Sequence, residues 1–202
     1  MKFIKPPNII QKFYKNLICN IKNDENKIFL TFDDCSDEEV TFDILDILDT
    51  YKIKATFFCT AKYIETNKLH EKIIARGHSI GNHGYEHLNG YNTSVQDYVS
   101  DVFNCNNVID TELFRPPYGK ITPKQLSVIS KSYKVILWDV LSYDFSQDIT
   151  PVECFEIVKK NTRSGAIIVF HASKKASRNM LYALPNFIEF AFRKKYIFSL
   201  IK

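Results

Sequence analysis

Alternation is the feature that most restricts how this chain can fold. Short, largely apolar runs at 27–32, 55–59, 78–81, 113–114, 135–138, 166–170 and 196–201 are separated by longer segments with helical spacing. Strands without a polar face belong to parallel sheets covered by helices. Parallel neighbours also need a crossover of a dozen residues or more, and the intervening segments are long enough to supply it. After Ser36-Asp37-Glu38-Glu39, for example, Val40, Ile44, Leu45, Ile47 and Leu48 line one helical face. Ser36 reads as the N-cap there, with Glu39 completing a capping box. Further helices are expected over 61–76, from a cap at Thr93 or Ser94 to about 109, after Thr122-Pro123 and Thr150-Pro151, and over 181–192. The expected fold is α/β: a distorted (β/α) barrel with about seven parallel strands, with a doubly wound open sheet as the second choice.

A chain of 202 residues suits a single barrel domain. Residues 1–26 read as a polar, basic arm in which Ile9, Ile10, Phe13, Leu17 and Ile18 set out a short helix, and 27–202 as the domain itself. The 27 Lys and Arg against 23 Asp and Glu are scattered, which argues against a nucleic-acid partner. Five Cys without a CxxC motif read as reduced thiols. Lys at 2, 5, 12 and 15 interrupts the first stretch, so neither a secretory signal nor a membrane span is expected. The expectation is a cytoplasmic monomer, with association with the cell envelope as the alternative.

The chemistry-bearing residues are one-sided. Asp33-Asp34 follow the first strand, His83 and His87 the third, Arg115 the fourth, Asp139 and Asp144 the fifth, and His171 the sixth. A βα barrel builds its active site at the C-terminal ends of its strands. An isolated Asp pair is as readily a turn or a helix cap. Beside a His-x-x-x-His it becomes a candidate hydrolytic zinc site, with two His, one carboxylate and an open position. Non-haem iron oxygenases use the same donors, but on β-only scaffolds with a different order.

Five ordered segments resemble the polysaccharide deacetylase family, the NodB-homology domains of carbohydrate esterase family 4. They are Thr31-Phe32-Asp33-Asp34-Cys35-Ser36, Gly81-Asn82-His83-Gly84-Tyr85-Glu86-His87, Arg115-Pro116-Pro117-Tyr118-Gly119, Asp144-Phe145 and Val169-Phe170-His171. The resemblance implies a metal-dependent hydrolase that removes acetyl groups from an N-acetylated glycan. It implies one divalent ion per chain, zinc first, on Asp34, His83 and His87. Asp33 is then the general base, with Arg115 keeping it ionised, and His171 the general acid, oriented by Asp144. The Tyr118 backbone N–H would bind the oxyanion, and Pro117, Tyr118, Trp138 and Val169 would line the sugar site. Alternatives within the resemblance are hydrolysis of another amide or ester on a small or lipid-linked sugar, or a catalytically weak glycan-binding homologue. Cys35, Ser36, Gly84, Phe145 and Ala172 depart from the family's usual residues. Cys35 is expected beside the metal cleft and open to alkylation.

Overall fold

The computed structural model describes residues 16–202. Among the described residues nine strands form one sheet: β1 Leu17–Ile18, β2 Lys27–Asp34, β3 Thr56–Cys59, β4 Ser79–Asn82, β5 Leu113–Phe114, β6 Lys134–Ile136, β7 Val140–Leu141, β8 Ile167–His171 and β9 Ile197–Phe198. The main path runs β1-β6-β5-β4-β3-β2-β8-β7, with β9 beside the start of β2, and the pairings are parallel. The helices are α1 Glu38–Thr50, α2 Ala61–Ile64, α3 Leu69–Ala75, α4 Val95–Asn104, α5 Pro123–Ile129, α6 Pro151–Asn161 and α7 Lys174–Arg193. No helix among the described residues is long and apolar enough to cross a membrane.

The sheet must curl, because β6 and β7 lie near opposite ends of its path yet only Leu137, Trp138 and Asp139 separate them in the chain. Near its start the gap is bridged by residues 17–21. Leu17 and Ile18 pair with Val135 and Ile136, and Ile21 N–H donates to the Gly165 carbonyl at 2.9 Å. The result is the expected distorted (β/α) barrel, nearly closed. All seven anticipated strand positions are occupied, and β1 and β7 are additional.

Strand alternation decides what the interior contains. On β2, Ile28, Leu30 and Phe32 face the helices and share a core with Ile44, Leu48, Phe57, Phe170, Leu184 and Phe187. Phe32 stacks on Phe57 with ring centroids 5.0 Å apart. Phe29, Thr31 and Asp33 have the opposite parity. Phe29 packs inside with Phe58, Leu113, Ile136 and Ile167. A separate apolar layer of Tyr98, Val102, Phe114, Leu126, Ile129, Val135 and Leu137 seats α4 and α5.

Several local expectations are corrected. Leu17–Ile18 is a strand rather than part of a helix. The rest of that expected helix lies outside the described residues. Asp37, not Ser36, caps α1, its carboxylate accepting from Val40 N–H at 3.0 Å. The helix expected over 61–76 is two pieces, broken where Lys68 turns left-handed (φ 52°) and the Asn67 side chain accepts from Leu69 N–H. The strand expected to reach Trp138 ends at Ile136, and α7 begins at Lys174 and runs through Pro185. Thr122 and Thr150 do form capping boxes, with Gln125 and Glu153.

Candidate active site and metal centre

The C-terminal ends of β2, β4, β5, β7 and β8 open into a cleft of about 500 Å³. Asp33, Asp34, His83, His87, Tyr118, Trp138, Phe145 and His171 all line it. Asp33 arrives by strand parity, since it continues the inward row of Phe29 and Thr31. Asp34 would face outward on the same rule. Its left-handed backbone (φ 75°) turns the chain so that the second carboxylate reaches the same cleft. Cys35 follows at φ 52° and drops into the outer core, 1% exposed. Tyr118, His87 and Tyr143 also adopt φ near 60°, so the cleft rim collects costly backbone conformations.

Arg115 is completely buried. Its Nη1 donates to Asp33 Oδ1 at 2.5 Å and to Thr31 Oγ1 at 2.8 Å, its Nη2 to the Leu137 carbonyl, and its guanidinium lies 4.0 Å over the Phe58 ring. A buried cation with this many partners fixes Asp33 Oδ1 and leaves Oδ2 toward the cleft, 4.0 Å from His83 Nε2.

Asp34, His83 and His87 offer one ligand atom each, all within 4.8 Å of one another. His83 Nδ1–H donates to the Arg115 carbonyl at 2.8 Å, which can only accept, so the lone pair sits on Nε2 and faces Asp34. Burial pulls the His83 pKa down to about 4, keeping the ring neutral near pH 7. Burial acts against the charge of Asp34, but the hydrogen bond from His87 and the nearby His171 outweigh it and hold the carboxyl well below its usual range. A neutral imidazole with its lone pair aimed inward and an ionised carboxylate beside it fit a divalent ion.

Across the cleft, His171 Nδ1–H donates to Asp144 Oδ1 at 2.7 Å, and His171 backbone N–H donates to Asp144 Oδ2 at 2.7 Å. Asp144 is itself buried, and Asn179 on α7 donates to its carbonyl. Burial alone would lower the His171 pKa, but Asp144 and the two aspartates of β2 raise it to about 9. Phe145 meets the imidazole edge-on at 4.9 Å. Asp33 and His171 are register partners on adjacent strands, so a base and an acid face one space.

Other expected residues fall elsewhere. Pro117 and Val169 are buried and lie outside the cleft lining. Asp139 is level with the start of β8, where Arg163 grips it at 2.7 and 3.1 Å, because β7 begins only after it. Cys35 is not at the cleft surface: burial, then Cys59, pushes its thiol well above the ordinary value. Asp101 was not anticipated. Its carboxylate, buried under α4, accepts from Tyr85 N–H and Glu86 N–H between the two His residues. The sequence signal was its place on the apolar stripe of Tyr98, Val102 and Cys105, where an Asp has no ordinary reason to be.

The family model for polysaccharide deacetylase matches residues 20–134. A peptidoglycan-N-acetylglucosamine deacetylase of Bacillus cereus is 32% identical over 159 residues, 75% of either chain. The crystal structure of a peptidoglycan N-acetylglucosamine deacetylase with a naphthalenyl N-oxidanyl-benzamide superimposes with a TM-score of 0.85 at 25% identity, covering 97% of this chain and 94% of that one. A family pseudoenzyme from Bacillus anthracis shares the fold, with a TM-score of 0.82 at 22% identity over 92% of this chain and 67% of that one.

Proposed function

The chain belongs to the polysaccharide deacetylase family, and we propose that it is a metal-dependent hydrolase releasing acetate from N-acetylglucosamine-type sugars, with peptidoglycan as the glycan. The observation that carries this reading is the placement of an Arg-held carboxylate and an Asp-held imidazole on adjacent strands beside an Asp-His-His cluster. An inactive homologue has no need to retain both.

Asp34, His83 and His87 would hold the ion, zinc in our reading. Bound there, it supplies a Lewis acid that acidifies water and polarises the amide carbonyl. The remaining work falls to the chain. Asp33 Oδ2, its partner oxygen pinned by Arg115, takes the proton of the attacking water. The Tyr118 backbone N–H, presented by its left-handed turn, donates to the oxygen on which charge develops. His171 Nε2 faces the cleft because Nδ1 is held by Asp144, and it gives a proton to the departing amine nitrogen. Tyr118, 60% exposed, and Trp138 flank the space as platforms for a sugar ring.

The test is acetate release from N-acetylated peptidoglycan and chitooligosaccharides, with the protein stripped of metal and then given zinc. Release restored by zinc and abolished, together with zinc content, in His83→Ala is the expected result. Full metal retention in that variant, or no release from any N-acetylated glycan, refutes the reading.

A further inference from the structure

The loop from His83 to His87 holds two of the three ligand atoms, and its backbone polar groups are paired in detail. Gly84 N–H donates to Asn82 Oδ1 at 2.8 Å, and the Gly84 and Tyr85 carbonyls accept from Ala61 N–H and Lys62 N–H at the start of α2. The two inner donors, Tyr85 N–H at 3.1 Å and Glu86 N–H at 2.8 Å, both go to one carboxylate, Asp101 on α4. That side chain is only 7% exposed. Gly84 sits at φ +79°, and a Cβ there would lie 2.7 Å from Asp101 Oδ2. The glycine and the aspartate therefore form one fitted unit: the absent side chain makes room for the carboxylate that bridges the loop.

We propose that Asp101 is a positioning residue for the metal centre: by tying the Tyr85 and Glu86 amides to α4, it presets the separation of His83 and His87 and so the affinity for the divalent ion. This rests on the proposed metal site. An ion gains most from ligands already in place, because ordering the loop on binding would subtract from its affinity. Loss of a group that orients ligands costs roughly 10- to 100-fold in metal affinity. Removing Asp101 would also leave two amides without partners, so stability must be separated from positioning.

The experiment measures zinc affinity of the full chain by competition with a chromophoric chelator, alongside thermal melting. Asp101→Ala should lose affinity by about one to two orders of magnitude. Asp101→Asn, which keeps one acceptor, should fall between it and the wild type, and Gly84→Ala should also weaken binding by displacing the carboxylate. Val102→Ala is the control. It cuts the core from the same helix, where Val102 is fully buried, and should lower the melting temperature while leaving zinc affinity unchanged. Should Asp101→Ala bind zinc as the wild type does, or Val102→Ala lose as much affinity, the positioning role is overturned. A wild type that takes up no zinc overturns this inference and the metal site together.

Discussion

Replacing Asp144 by Asn tests the link between fold and proton inventory most directly. The side chains are nearly the same size, but the charge goes and one acceptor becomes a donor. Asp144 Oδ1 accepts from His171 Nδ1 and Phe145 N–H, and Oδ2 from His171 N–H. An amide can serve only one of those two sides. The His171 pKa of about 9 is the outcome of burial pulling it down and of Asp144, then Asp34 and Asp33, pulling it up. Without the Asp144 charge only the two aspartates of β2 oppose burial, and the value falls toward ~6.5, the ordinary figure for histidine. A fall to that figure is ~2.5 pH units, or about 3 kcal/mol. At pH 8 such a fall takes the imidazolium fraction from ~0.9 to ~0.03, so an acid-dependent rate should drop by up to ~30-fold on that account alone. The assay is the pH profile of kcat/KM for acetate release. Its alkaline limb, near pH 9 in the wild type, should move down toward pH 6.5. The same proton affects stability. His171 is raised on folding, so its contribution is complete below ~6.5 and is lost as pH rises through about 9. Asp144→Asn should weaken that pH dependence in the melting curve. An alkaline limb still near pH 9 in the variant would refute the assignment of His171 as the acid held by Asp144.

Three further outcomes follow from the same geometry. Arg115→Met should destabilise the fold by about 3–5 kcal/mol, since it strands the buried Asp33 carboxylate, and chemical denaturation measures this. Cys35 should resist iodoacetamide in the native protein and react only on unfolding. Cys35→Gly should leave activity intact, because glycine relieves the φ of 52° while the lost thiol only thins the outer core; a protein inactivated by this change would show that the thiol acts directly.

The expectations that held came from features the chain repeats. Largely apolar runs gave the parallel barrel, and polar residues at the run ends gave the cleft, because strand ends are where a barrel's interior becomes accessible. What escaped was set by tertiary context. β7 is two residues long and continues almost directly from β6, so no break in pattern announced it, and Asp139 was placed at the wrong end of a strand. Lys68 divided a helix through backbone geometry that composition does not display. Cys35 looked like a cleft residue because its neighbour is one; two successive left-handed residues send it the other way. Asp101 escaped because a single acidic residue in a helix does not show, by itself, that it is buried against a loop.

A barrel that curls without completing its ladder retains two strand edges, and exposed edges invite pairing with other molecules. Here both ends of the path are minimal. Leu17–Ile18 and Val140–Leu141 are two residues each, and Val140 and Leu141 are buried. Edges so short offer an approaching chain almost no template at the seam, on the side where Trp138 borders the cleft.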